Sequence, residues 1–146
     1  MRQLFNLLAI CGSAMFAGVL LTIGVLLGGY WKTLSAADFL TSFNDFLPLV
    51  PRAIAVVGLT TVVGLAGSIW LSEKESRTLW LFAAGSIGAL FLLTALWFGP
   101  VNGQFMARSL PLDQVVPKRD QWLMLHTFRV VLAVLASVLS SMATNR

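Results

Sequence analysis

The chain has 146 residues, of which 58% are hydrophobic and 11% charged, with a mean hydropathy of +0.85 and a formal net charge of +4. Soluble domains carry about 25% charged residues, so lipid rather than water is the expected main solvent. The basic residues are scattered over loops and termini without a stripe or interleaved aromatics, which argues against nucleic acid as a partner, and the lone Cys11 excludes an internal disulfide and any cysteine-based metal site.

The charges leave long gaps: Arg2 to Lys32, Arg52 to Glu73 and Arg77 to Arg108 enclose none, and residues 121–145 hold only Arg129. Each gap meets the roughly 20 apolar residues that a helix needs to cross hydrocarbon. The predicted fold is therefore all-α, a four-transmembrane-helix bundle forming one membrane domain over residues 1–146. Its spans are placed at about residues 4–30, 52–71, 78–98 and 122–142. Arg2 and the following apolar run resemble a signal peptide, but the run is far longer than a signal core and is read as a retained span.

The first span contains Gly24 and Gly28 at GxxxG spacing, which lets another helix approach closely. Ala84–Gly88 and Ala133–Ser137–Ser141 repeat the small-residue pattern, and a homo-oligomer is one use for such faces. Residues 35–47 follow with Phe39, Leu40, Phe43, Phe46 and Leu47 on one helical face and polar residues on the other. Ser35 and Asp38 form a capping-box pattern, so a short amphipathic helix lying in the membrane interface is expected there. Pro48 and Pro51 end it and open span two. The charged residues 72–77 make a tight hairpin to span three, which stops at Gly99-Pro100. A long connection over residues 101–121, with Pro111 and Pro117, leads to span four. Trp31, Trp70, Trp80, Trp97 and Trp122 mark span ends, where indoles prefer the headgroup layer.

Up-and-down order puts the N- and C-termini on the same side, and the expected location is a bacterial inner membrane. Orientation stays open: Arg2, Lys74, Arg77 and Arg146 on one side balance Lys32, Arg52, Arg108, Lys118 and Arg119 on the other. The side with the long connections collects Arg52, Asn102, Gln104, Trp122, His126 and Arg129. Arg129 lies seven positions past Trp122, about 10 Å deeper along a helix. A charge at that depth must snorkel, pair or line a wet cavity, and no span offers an Asp or Glu. His126 shares its face, three positions earlier, and Thr22, Thr60 and Thr94 fall at a comparable depth. Two readings follow. Arg129 is either the floor of a substrate pocket with His126 above it, or a structural clamp on carbonyls; Asn102 is either a ligand or a cap after Pro100. No Walker loop, dinucleotide fingerprint or Ser-His-Asp set is present, a haem on His126 lacks an attachment motif, and a carboxylate proton relay lacks its carboxylates.

Pro100-x-Asn102, a proline-containing connection and Trp122-x3-His126-x2-Arg129 together resemble the anthrone-oxygenase-like family of small four-helix membrane proteins. Ala17-Gly18 and the amphipathic segment 34–47 add to the likeness. The resemblance implies oxidation of an anthrone- or quinol-type aromatic by O2 with neither metal nor flavin. On that reading His126 is the base, Arg129 stabilises the anion and the developing peroxide, and Asn102 and Gln104 donate hydrogen bonds. Trp122 and Trp97 pack the rings, and Arg52 completes the polar rim. The expected partners are the lipid bilayer and a hydrophobic small molecule. The rival class is a non-enzymatic lipid-binding or assembly protein, in which Arg129 holds an anionic headgroup.

Overall fold

A computed structural model describes residues 1–145, and all regular structure among them is helical. Arg146, counted above with the termini, lies outside the described residues. Four helical rods, Arg2–Lys32, Ala36–Leu71, Lys74–Met106 and Leu112–Thr144, are each long and apolar enough to cross a membrane. The first joins α1 (Arg2–Thr22) to α2 (Gly28–Lys32) through a π segment, Ile23–Leu27. The second joins α3 (Ala36–Phe46) to α4 (Val50–Leu71) through a 3-10 link, Leu47–Leu49. The third joins α5 (Lys74–Leu93) to α6 (Gly99–Met106) through a second π segment, Thr94–Phe98. The fourth is α7 (Leu112–Thr144).

Three rods outlast the apolar stretches that announce them. Gly99-Pro100 does not stop the third, because the proline falls in the first turn of α6 just after the π segment, where the ladder is already shifted. The chain turns only after Met106. There Ser109 N–H bonds the Gln104 carbonyl and Arg108 N–H the Phe105 carbonyl, with Arg108 in the left-handed region at φ 50°. The fourth rod starts at Leu112, and its charged first turns carry Pro117 within the helix. The expected long connection shrinks to residues 107–111.

The first rod packs on α4 and α7, and α5 packs on α7. Backbones meet closely where glycine allows it: a Cβ on Gly12 would stand 2.8 Å from the Thr61 nitrogen, and one on Gly64 would collide with Ala9. The Gly24–Gly28 pair is used inside the chain, facing His126 and Leu123 of α7. One apolar cluster, including Ala9, Phe16, Leu65, Trp80 and Ala136, fills the end near the 72–73 turn. A second, mostly aromatic, gathers Trp31, Phe39, Phe43, Phe98, Phe105 and Trp122 at the other end.

The amphipathic helix is present as α3, with Ser35 Oγ accepting from the Asp38 N–H as its cap. Its apolar face meets protein: Phe39 and Phe43 each lie 5.1 Å from Phe105, ring to ring. Edge-to-face pairs of this kind add about 0.5–1.5 kcal/mol beyond burial. Trp31 and Trp70 occupy rod ends as expected, whereas Trp80, Trp97 and Trp122 lie within the longer rods, and most of the five are turned inward. Trp31, Trp80 and Trp122 are buried and Trp97 is half-buried, leaving Trp70, 84% exposed, as the one fully outward-facing indole.

Candidate functional site

The site is organised by one stripe of α7. Trp122, His126 and Arg129 recur at four- and three-residue spacing, so they project from the same face, and all three are buried against the other rods. The Trp122 and His126 rings stack with centroids 4.9 Å apart and planes 7° off parallel.

Each polar group of the stripe has a defined partner or conspicuously lacks one. Trp122 Nε1 donates to Asn102 Oδ1 at 2.9 Å. An indole can only donate, so the amide oxygen must face it, and Asn102 Nδ2 remains as a donor. His126 Nε2 lies 2.7 Å from the Leu20 carbonyl, which can only accept, so Nε2 carries the hydrogen. Leu20 sits one turn before the π segment Ile23–Leu27, in the region where the helical ladder changes register. The Cδ2–Nε2 edge of the ring is turned to the first rod, with Cδ2 3.1 Å from a Cβ on Gly24. Nδ1, the opposite vertex, is buried and has no hydrogen-bond partner.

Arg129 is 7% exposed. Its Cζ stands 4.4 Å over the Phe98 ring, and its buried Nε has no hydrogen-bond partner. Among the described residues the ion pairs are Arg2–Glu73 and Arg119–Asp120, so no carboxylate answers this guanidinium. Phe98 reaches it from the end of the second π segment, whose added residue turns the helix beyond it by about 100° relative to a regular ladder.

These groups border one cavity of about 240 Å³. Asn102, Trp122, His126, Arg129, Thr94 and Trp31 supply its polar and aromatic wall. Leu20, Ile23, Val50 and Ile54 supply much of its apolar wall, with Leu47 and Pro51. Thr94 Oγ1 donates to the Leu90 carbonyl at 2.7 Å, which leaves the hydroxyl as an acceptor. An amide, a guanidinium, an imidazole and flat rings thus meet at the cavity. An unanswered cation next to an apolar space suits a planar guest that carries or develops negative charge.

The other residues named from the sequence lie elsewhere. Arg52 and Gln104 are exposed and do not border the cavity, and Trp97 packs edge-on against Phe98 at 4.8 Å from a half-buried position. Thr22 and Thr60 donate back to the Gly18 and Val56 carbonyls of their own helices. Conversely, Arg119, counted above only in the charge balance of the long connections, is buried. It donates to the Trp31 and Leu34 carbonyls at 2.8 and 3.1 Å and pairs with Asp120, tying the end of the first rod to the fourth. Its place in an apparently polar loop hid that role.

The anthrone oxygenase family model matches residues 39–139. The match runs from α3 into α7 and takes in Asn102, Trp122, His126 and Arg129, whereas Leu20 and Ile23 of the cavity wall precede it. No curated protein and no solved structure matches the chain.

Proposed function

The chain belongs to the anthrone oxygenase family, and from that premise we propose that it is a membrane-embedded oxygenase-like enzyme, independent of metal and flavin, that oxidises a hydrophobic anthrone- or quinol-type ring with O2. The observation that carries the reading is Arg129, buried with no carboxylate partner among the described residues and bordering the same cavity as His126 and Asn102. A charge kept in that position without a structural counter-ion has its use in the reaction.

The chemistry follows from the donors and acceptors. His126 Nδ1, unpartnered while Nε2 is held on the Leu20 carbonyl, removes a proton from the methylene of an anthrone. The enolate oxygen forms against Arg129 and the Asn102 amide. The electron-rich ring gives electrons to O2, and a carbon–oxygen bond forms to a ring-bound peroxide whose charge Arg129 stabilises. Loss of the second methylene proton with cleavage of the O–O bond leaves the quinone carbonyl and one water, so CH2 and O2 become C=O and H2O. With a quinol the same groups take two protons and two electrons to O2, giving quinone and hydrogen peroxide. Trp122, stacked on His126 and tied to Asn102, holds base and donor in register.

The placement in a bacterial inner membrane, with both termini on one side and α3 near the headgroup layer, belongs to the same proposal. A second copy would pack on α5, where Gly85 and Gly88 meet nothing within the chain. The test is turnover of 1,8-dihydroxyanthrone by the purified protein in nanodiscs, followed by quinone absorbance and O2 uptake. His126→Ala and Arg129→Ala are expected to abolish turnover in assembled protein; normal conversion by both variants would refute the site.

A further inference from the structure

We infer that the substrate ring carries a hydrocarbon tail, and that this tail leaves the cavity sideways, through the seam between the first and second rods, into a groove on the flank of the bundle. The inference rests on the cavity being the ring site proposed above.

On the outer side of that seam lies an apolar groove of about 520 Å³. It shares Ile23 and Val50 with the cavity, so these two side chains form a common wall with ring space on one side and groove on the other. From Met15 to Leu27 the groove follows the first rod for about 18 Å. Met15 and Leu49 on its walls are 55% and 64% exposed, so it is open along the flank where lipid lies. Its one hydroxyl, on Thr22, is turned back to the Gly18 carbonyl at 2.9 Å. The groove therefore offers a guest no free donor and a single acceptor oxygen, which favours a hydrocarbon chain over any headgroup.

Both walls are irregular where cavity and groove meet. The first rod changes to a π segment at Ile23–Leu27, and the second changes to a 3-10 link at Leu47–Leu49. Side-chain ridges there do not keep the spacing that lets two regular helices interlock, so the seam is weakest at this point. Gly18 keeps the groove floor low: a Cβ there would meet nothing within 4 Å. Lipid chains are as apolar as this groove, so seating the tail adds little affinity. Its consequence is steric. A ring held between His126 and Arg129 can keep its tail only if the tail has this exit.

The experiment compares decylbenzoquinone with methylbenzoquinone as ligands of the full chain in phosphatidylcholine nanodiscs, read by quenching of tryptophan fluorescence, since Trp31 and Trp122 border the cavity. Gly18→Phe fills the groove from the first rod and Ala53→Phe fills it from the second. Each is expected to weaken binding of the decyl compound at least tenfold more than that of the methyl compound, and membrane partitioning cancels because each compound is compared with itself across proteins. If both quinones bind the wild type and neither block discriminates, as when a bilayer acyl chain fills the groove, the tail seat is wrong and the ring site stands. If neither quinone binds the wild type, the ring site fails and the tail seat with it.

Discussion

Arg129→Met separates a chemical role from a structural one, because the two predict opposite changes in stability. Methionine keeps an unbranched chain of similar reach and removes the charge. Holding an arginine at a helix centre in the membrane is unfavourable by about 2.5–3.5 kcal/mol on insertion scales. The one compensating contact is the Phe98 ring at 4.4 Å, which contributes about 0.5–2 kcal/mol where water is excluded. The variant is therefore expected to be more stable by about 0.5–3 kcal/mol, and to lose roughly 10²–10³ in turnover with its anion-stabilising group. SDS titration of protein in bicelles, followed by circular dichroism, measures the first, and O2 uptake measures the second. Adding Phe98→Leu closes a cycle whose coupling energy gives the cation–ring contact directly. A variant that unfolds earlier than wild type would make Arg129 a clamp, and the argument from an unanswered charge would fail.

Other substitutions probe separate parts of the structure. His126→Gln keeps an amide donor for the Leu20 carbonyl and removes the base, so turnover should drop by about 10²–10⁴ with stability little changed; retention of a tenth of the activity would contradict the assignment. Gly64→Ala drives a methyl into the Ala9 backbone and should destabilise by about 1–3 kcal/mol. Gly85→Ala meets nothing within 4 Å and should be neutral or stabilising by up to about 1 kcal/mol, so equal effects in SDS titration would show that the close approach is not what matters. Arg119→Ala removes charged donors from two carbonyls and should destabilise by about 1.5–3 kcal/mol. It should also raise hydrogen exchange at the end of α2, and an unchanged exchange pattern there would refute the tether.

The charge gaps made the four rods legible, since few charges can be placed in hydrocarbon and each gap is long enough for a span. The α7 stripe was legible for the same reason: Trp122, His126 and Arg129 are rare side chains in such a setting, and helical spacing alone puts them on one face. Direction around a helix was less legible. Gln104 and Asn102 lie on the same membrane side, but two positions apart in α6 they point about 200° from one another, and Trp97 lies inside the π segment Thr94–Phe98, which nothing in its composition announces. Arg52 was grouped by membrane side, a criterion blind to direction around the helix, and it faces outward. Thr22 and Thr60 satisfy their hydroxyls locally, on the carbonyl four residues back, and so need no partner across the bundle. The apolar wall of Leu20, Ile23, Val50 and Ile54 had no signature, because a cavity-facing leucine and a lipid-facing one are the same letter.

The contacts that close the cavity join residues far apart in synthesis. His126 reaches Leu20 across 106 positions, and Arg119 reaches Trp31 across 88. The helices of a chain made from its N-terminus enter the bilayer in order, so the first rod lacks the α7 side chains that reach its Leu20, Trp31 and Leu34 carbonyls while the second and third arrive. Only the last helix brings the guanidinium, the imidazole and the indole together, in one late docking step. A chain halted before Arg119 carries three of the four rods and none of the Trp122, His126 and Arg129 stripe. The candidate site is therefore complete only once the last helix has docked.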